Sequence, residues 1–314
     1  MLLLLTWTNV IALAQEKSEQ TTTEKTTTES TLKAEPKTEP TSEPKSEKTA
    51  QMPLIPSPVP LVEQFKEDLS HYLPAEQVKP LLAGPDDYIT LITENTSVNN
   101  KGVAILLPDW QQSATNPKAI NFLRNKLPLQ GWTTITIQPA SMPDNYPSKA
   151  IKISEQQQEN TKSIDDYKIK FNAMINAVLE KSKSYPGIVI VIAQGNHGAL
   201  LVDFFDPQSS NQSNNTPNAV ILLSSYLLTN HNLIDEANTA FAKKIASSKY
   251  PVLDLYLTYD HPIVLDKAKQ RLALSKKEMK VYYRQRQLNS LATGYYPEQA
   301  LLTQMNSWLK AIGW

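Results

Sequence analysis

The sequence predicts an α/β fold with a mostly parallel central sheet and helices on both of its faces. From residue 61 onward, strand-like runs alternate with helix-like segments, which is typical of a sheet built from parallel strands and crossover helices. The run from 188 to 193 is apolar at every position, as a strand covered on both faces has to be. The 314 residues of the chain are enough for one large domain.

The elements of this fold follow from the period of the apolar residues. Strands are predicted at 88–93, 103–107, 132–137, 188–193, 219–223, 252–257 and 281–283. Helices are predicted from 61, from Asn116-Pro117 to Gly131, from the capping box Ser163-x-x-Asp166 to Pro186-Gly187, over 234–246, from Pro262, and over 298–311.

The first fourteen residues, MLLLLTWTNVIALA, form an apolar run that ends in the small-x-small pattern Ala12-Leu13-Ala14. This pattern predicts a signal peptide over 1–14 that is cleaved after Ala14. The run is shorter than the ~20 apolar residues that a membrane-spanning helix needs. We therefore expect export to the bacterial periplasm or medium, with no transmembrane segment after cleavage; the alternative is a buried N-terminal helix.

Residues 15–60 are rich in Thr, Glu, Lys and Pro, and Leu32 is the only large apolar residue between 15 and 50. Such a composition cannot bury enough apolar surface to offset its conformational entropy, so a disordered linker is predicted. It could be a spacer, a tether across a layer of the cell envelope, or a ligand for a proline-binding partner. The folded domain is predicted over 61–314.

The composition excludes several classes of function. Lys and Arg total 31 and so do Asp and Glu, so no overall field favours nucleic acid as a partner. The chain has no cysteine, which excludes disulfides and thiolate chemistry. Neither a cofactor nor a metal site is predicted, because the spacing of Asp109, His197, Asp260 and His261 matches no ligand motif.

The segment Gln194-Gly195-Asn196-His197-Gly198-Ala199 joins the most apolar strand to an apolar helix. A sharp strand-to-helix turn with glycines is typical of a nucleophile elbow, which needs G-x-S-x-G because the nucleophile has a strained backbone. The register set by Gly198 places Asn196, which tolerates positive φ, at the nucleophile position. The other register places His197 there. The alternative interpretation is that this turn only shapes the backbone.

Two further segments follow strand ends, where ligands bind in parallel sheets. Asp260, followed by His261, comes after strand 252–257, where a hydrolase keeps the acid that orients its histidine. Asp260 could equally be the N-cap of the helix that begins at Pro262. Asp109 and Trp110 follow strand 103–107, and the backbone N–H groups there are candidates for an oxyanion hole. The Asp109 side chain is more consistent with capping a turn.

Several of these pieces together resemble the bacterial family catalogued as domain of unknown function 3530. The matching segments are 103–110, Gly131-Trp132, Gly198-Ala199, 250–255 leading to Asp260, Ala268-x-x-Arg271, 283–285 and 308–310. The resemblance covers about 61–314 and implies an α/β-hydrolase fold and export. It also implies that Asn196 is the elbow residue and that Asp260 is at the acid position.

Two function classes follow. The first is a non-catalytic α/β-hydrolase-like domain that binds an envelope partner or a small-molecule ligand. It is favoured because the segment after the last strand, 284–291, holds no histidine and the elbow holds no serine. The second is a hydrolase of ester or amide bonds with an atypical set around Asn196, His197, Asp260 and His261. A cleft filled by Gln194 and Trp110 would favour binding. A third hypothesis is an envelope protein whose linker is the functional element.

Overall fold

The computed structural model describes residues 58–208, 216–229, 233–234 and 236–314. The predicted signal peptide and nearly all of the predicted linker lie outside these residues. The described part contains an eight-stranded sheet with the order β1-β2-β4-β3-β5-β6-β7-β8. The strands are β1 (Val78–Ala83), β2 (Asp86–Thr93), β3 (Gly102–Leu107), β4 (Trp132–Ile137), β5 (Ile188–Gln194), β6 (Ala219–Leu223), β7 (Val252–Leu257) and β8 (Tyr283–Leu288).

The sheet is mostly parallel, as the sequence predicts. Strand β2 is antiparallel to both of its neighbours, β1 and β4, whereas every pairing from β4 to β8 is parallel. The central strand β5 pairs with β3 on one side and β6 on the other. The carboxyl ends of β3, β5, β6 and β7 therefore lie side by side at one edge of the sheet.

Helices cover both faces of the sheet. They are α1 (Leu61–Tyr72), α2 (Ile120–Lys126), α3 (Ile153–Ser182), α4 (Asn196–Phe204), α5 (Ala237–Ser247), α6 (Pro262–Lys277) and α7 (Glu298–Ala311). On one face, residues of α3, α4 and α5 pack with Val191 of β5, and on the other face residues of α2 and α7 pack with Ile192. This alternation along β5 confirms the prediction of a strand buried on both faces.

Several boundaries differ from the predicted elements; for example, α5 begins at Ala237 rather than at 234 and β2 begins at Asp86 rather than at 88. Helix α3 begins at Ile153, ten residues before Ser163, because 153–162 consists largely of good helix formers without an apolar stripe. Helix α2 begins at Ile120 rather than at Pro117; the Asn116 side chain instead accepts a hydrogen bond from the Lys118 N–H at 2.8 Å within a turn. Strand β8 extends over 283–288 instead of 281–283.

Strand β1 was not predicted, and it contains Pro80. Proline cannot donate to a ladder and is confined to edge strands, and β1 lies at the edge of the sheet. Within the described residues, no helix is both long and apolar enough to cross a membrane.

Candidate functional site

The turn after β5 is as sharp as predicted: the strand ends at Gln194 and α4 begins at Asn196. The one residue between them, Gly195, has φ 59° and ψ −132°, a conformation that is open to glycine and strained for other residues. The expectation that Asn196 holds the positive φ is therefore wrong, because Asn196 is already the first helical residue. Three residues further on, a Cβ at Gly198 would lie 2.0 Å from Ser225 Oγ, so the helix and the β6 end require glycine there too.

The space above Gly195 is filled by a carboxylate from the loop after β3. A Cβ built on Gly195 would lie 2.2 Å from Asp109 Oδ2 and 2.4 Å from Asp109 Cγ. In a nucleophile elbow, the strained residue projects the nucleophilic side chain into this space. Here the side chain of Asp109, in the loop after β3, enters this space.

The Asp109 carboxylate is held by backbone groups of both segments. Its Oδ1 accepts the Trp110 N–H and the Asn196 N–H, each at 2.9 Å. The Asn196 side-chain amide donates to both carboxylate oxygens at 3.2 Å. An α/β-hydrolase oxyanion hole consists of the N–H after the nucleophile and an N–H of the loop after β3. Asn196 and Trp110 hold these two places, and both N–H groups point at Asp109 Oδ1.

Electrostatics of this cluster are set by burial. Burial of the Asp109 carboxyl raises its pKa to about 6, although the hydrogen bonds from Trp110 and Asn196 oppose the shift. Asn196 is buried, and its Oδ1 accepts the Leu228 N–H at 2.6 Å, which fixes the orientation of the amide. Asp109 therefore takes part in the predicted turn cap through Trp110 and also binds the elbow through Asn196.

Trp110 is part of the core beneath this cluster. Its ring makes edge contacts with Tyr146 and Tyr167 at centroid distances of 5.9 and 5.7 Å. Only 3% of Trp110 and 5% of Gln194 are exposed, and Gln194 Oε1 has no hydrogen-bond partner. Trp110 and Gln194 thus offer ligands little surface at the floor of the site.

His197 is fully buried, and both of its ring nitrogens are in use. Nδ1 must donate to the Pro108 carbonyl oxygen at 2.5 Å, so Nε2 of the neutral ring accepts the Tyr167 hydroxyl at 2.7 Å. The ring stacks on Phe171 at 5.3 Å. Burial lowers the pKa of His197 to about 4, so the ring is neutral near pH 7. His197 thus joins α4 to α3 and has no free nitrogen for acid–base chemistry.

Asp260 bridges the ends of β6 and β7. Its Oδ2 accepts the Ser224 hydroxyl at 2.5 Å and the Leu257 N–H at 2.8 Å, and its Oδ1 accepts the His261 N–H at 2.7 Å. The N-cap of α6 is His261, whose Nδ1 accepts the Ile263 N–H at 3.3 Å. The alternative that Asp260 is the N-cap is therefore wrong.

The His261 ring stacks on Tyr226 at a centroid distance of 4.3 Å and an interplanar angle of 11°. Because Nδ1 accepts a hydrogen bond, the neutral ring carries its proton on Nε2. Burial lowers the pKa of His261, and the neighbouring charge of Asp260 opposes this shift.

Ser224, Tyr226 and Tyr296 belong to the same edge and were missed as site residues by the sequence analysis. Ser224 has φ 47°, and its hydroxyl also pairs with the Tyr296 hydroxyl at 2.5 Å. Burial, followed by the negative charge of Asp109, raises the pKa of Tyr226 to about 12. No local sequence motif marks these residues; only their position after β6 or before α7 could have suggested them.

The structure thus brings Asp109, Trp110 and Asn196 into one cluster and Asp260 and His261 into another at the same edge. In the part of the chain that the structure describes, no group of three or more His, Cys, Asp or Glu side chains is arranged to hold a metal ion.

Comparisons with known proteins agree with this architecture. A model of the family described as "Protein of unknown function (DUF3530)" matches residues 1–311. The apo form of Thermogutta terrifontis esterase 2 superposes with a TM-score of 0.53 at 14% identity, over 75% of this chain and 94% of that chain. Dienelactone hydrolase from Anabaena variabilis superposes with a TM-score of 0.52 at 10% identity, over 75% and 98%. No curated protein sequence matches the chain. At these identities the structural likeness establishes the α/β-hydrolase fold alone.

Proposed function

We propose, from the premise that the chain belongs to the family Protein of unknown function (DUF3530) and has an α/β-hydrolase fold, that it is an exported protein that binds a ligand at the bacterial cell envelope and does not hydrolyse it. The observation that carries the proposal is the Asp109 carboxylate above Gly195, in the place where an elbow presents its nucleophile.

The elbow has no nucleophile of its own. Glycine has no side chain, and any side chain at Gly195 would collide with the Asp109 carboxylate unless that group moved. Asn196 is not an alternative, because an amide is not activated by a base as a hydroxyl is, and its two amide atoms are engaged by Asp109 and Leu228.

Stabilisation of an oxyanion is also blocked. The Trp110 and Asn196 N–H groups lie 2.9 Å from Asp109 Oδ1, which is the distance at which such donors hold a developing oxyanion. A carboxylate in this place takes up both donors. When ionised, it also repels a second negative oxygen, and more strongly in a desolvated site than in water.

Neither His197 nor His261 is placed to act as a general base at the elbow. Both ring nitrogens of His197 are hydrogen-bonded, one to the Pro108 carbonyl oxygen and the other to the Tyr167 hydroxyl. Nδ1 of His261 accepts the Ile263 N–H, and the His261 ring stacks on Tyr226. Export is supported by the signal-like residues 1–14, and binding by the convergence of the Trp110 and Asn196 N–H groups on one carboxylate oxygen. Hydrolysis of ester or amide bonds by an atypical set is the competing function.

The test is hydrolysis of p-nitrophenyl esters, from acetate to palmitate, and of a p-nitroanilide by the full chain. We expect no rate above background. Variants Asp260→Asn and His261→Ala are measured beside it, with His71→Ala, a change at an exposed position of α1, as the matched control. A rate at least tenfold above background that is lost in Asp260→Asn and kept in His71→Ala would overturn the proposal.

Export is tested separately by expressing the full chain with a C-terminal tag in a Gram-negative host and determining its N-terminus by mass spectrometry. We expect periplasmic protein that begins at Gln15. Protein that keeps Met1 and stays in the cytoplasm would contradict export without bearing on hydrolysis.

A further inference from the structure

We infer that Asp109 occupies a binding site for a small carboxylate and acts there as a built-in ligand that an external carboxylate can replace. The site is formed by the Trp110 N–H, the Asn196 N–H and the Asn196 side-chain amide. The inference rests on the proposed binding function, for which it names the class of ligand.

Donors from two distant segments of the chain converge on one oxygen of Asp109. Asp109 and Asn196 are 87 positions apart in the chain, yet the N–H groups of Trp110 and Asn196 meet at Oδ1 with equal distances of 2.9 Å. A side chain that only capped its own turn would need the Trp110 N–H alone. The additional donors from α4 make a three-donor pocket that matches the two oxygens of a carboxylate.

Contacts other than those with Asp109 also position the donors. The Asn196 amide is oriented by the Leu228 N–H at 2.6 Å, and its backbone N–H is fixed by the start of α4. Trp110 is held by edge contacts with Tyr146 and Tyr167. Removal of the Asp109 carboxylate therefore leaves a preorganised set of buried donors without an acceptor, which is costly unless another anion enters.

The ionised Asp109 carboxylate is only weakly stabilised in its pocket. Burial raises the pKa of its carboxyl to about 6, so the donors recover only part of what the ionised group loses in leaving water. Asp109 is also partly exposed. A weakly stabilised, partly exposed internal ligand is one that a competitor can replace.

Size and charge of the pocket define the ligand. The carboxylate lies over Gly195 at a distance that only a residue without Cβ permits, so the space is matched to a planar group of three heavy atoms. The hydrogen bonds that Asp109 accepts in the described structure come from amide N–H groups and from no Lys or Arg. Neutral donors of this number suit a singly charged carboxylate better than a doubly charged phosphate.

The test is chemical rescue of the full-length variant Asp109→Ala by sodium acetate at pH 7.5. Thermal unfolding is measured in 100 mM sodium acetate and in 100 mM sodium chloride. With a Kd of about 10 mM, acetate is expected to raise the Tm of Asp109→Ala by about 3 °C over chloride, and that of the wild type by less than about 1 °C. Acetamide, which has the shape of acetate without its charge, is expected to give no rise.

Two controls complete the test. Asp144→Ala removes an exposed carboxylate and controls for the change in net charge. Asp109→Asn retains a group of the same size in the pocket and is expected to show no rescue. Should Asp109→Ala not fold in chloride, the same comparison is made with Asp109→Ser, and folding that requires acetate counts as rescue.

An acetate effect on Asp109→Ala or Asp109→Ser no larger than that on the wild type or Asp144→Ala would overturn the inference. The two proposals fail separately. Ester hydrolysis by the wild type would overturn the proposed function and leave acetate rescue unaffected, whereas absence of rescue would remove the carboxylate site and leave the lack of hydrolysis unaffected.

Discussion

The Tyr167 hydroxyl donates a hydrogen bond of 2.7 Å to Nε2 of His197, and the two rings lie nearly parallel, with an interplanar angle of 10°. This pair joins α3 to the first turn of α4 directly behind the elbow. A histidine that the sequence offered as a catalytic candidate is thus a buried support, which positions the Asn196 backbone through the helix that both residues share.

Tyr167→Phe should therefore lower stability. The change keeps the ring but leaves His197 Nε2 without a donor in a buried place, which costs about 1–3 kcal/mol. Urea unfolding of the full chain measures the loss. Tyr72→Phe, at a tyrosine that is 76% exposed, is the matched control and should differ little from the wild type. Equal losses in both variants would contradict the assigned role of the hydroxyl.

Gly195→Ala should destabilise the protein more than Gly84→Ala does. Both glycines have positive φ, 59° and 65°, but a Cβ at Gly84 meets nothing within 4 Å, whereas one at Gly195 lies 2.2 Å from Asp109 Oδ2. Backbone strain of about 1–3 kcal/mol applies to both, and the collision is added at Gly195 only. Unfolding free energies of the two single variants give the comparison.

The collision at Gly195 should be relieved when Asp109 is shortened. In a double-mutant cycle, Gly195→Ala should cost less in an Asp109→Gly background than in the wild type, because the two residues compete for the same space. Strictly additive effects would show that Asp109 does not fill the space above the turn.

Asp109 should also make stability depend on pH. Its pKa in the folded protein is about 6, above the usual 3.8, so the folded state binds the proton more tightly than the unfolded state does. The resulting contribution is fully present below about pH 4 and is lost as pH rises through about 6. Relative to Asp109→Asn, the wild type should therefore lose stability between pH 4 and 7.

This pH dependence is measured by urea unfolding of the wild type and Asp109→Asn at half-unit steps from pH 4 to 7.5. His197 and all other titrating groups are present in both proteins and cancel in the difference. A difference that stays constant or grows in favour of the wild type as pH rises would contradict the raised pKa.

Asp254→Ala should be among the most destabilising single changes at the β7–α6 interface. Asp254 and Arg271 are 0% and 1% exposed, and the Arg271 Nε–Asp254 Oδ2 distance is 2.7 Å. The same carboxylate accepts hydrogen bonds from Tyr283 and Gln285 at 3.0 and 2.8 Å. Its removal leaves a buried guanidinium unpaired, at a cost of about 3–5 kcal/mol.

The matched control is Asp165→Ala, which breaks the exposed ion pair with Lys168 on α3. Surface pairs contribute about 0–1 kcal/mol, so this variant should unfold close to the wild type. Equal losses of unfolding free energy in the two variants would show that the buried network around Asp254 stabilises the fold no more than the surface ion pair does.

Much of the fold could be predicted from local patterns. Strands 132–137, 219–223 and 252–257 and the helix over 298–311 have the predicted bounds, because each carries its periodicity and turn signals within itself. Strand β1 could not be predicted in this way, because its proline is acceptable only at an edge that other strands define.

The candidate site was predictable by place but not by role. The loops after β3, β5 and β7 were expected at one edge, because the carboxyl ends of parallel strands share it, and they lie there in two clusters. The register of the elbow was not predicted correctly. The spacing to Gly198 favoured Asn196 as the strained residue, whereas the strained backbone lies at Gly195. The sequence left open whether Asp260 is the acid or the N-cap of α6, and the cap is instead the next residue, His261.

By itself, the sequence determined the α/β class, the positions of seven of the eight described strands and the segments that follow their carboxyl ends. These properties follow from the apolar period and from turn residues, which act over a few positions. Only the tertiary structure decided that Asp109 fills the space above Gly195 and that His197 faces Tyr167. Both contacts join side chains from distant segments, and their geometry depends on how the helices and strands pack, for which no local pattern exists.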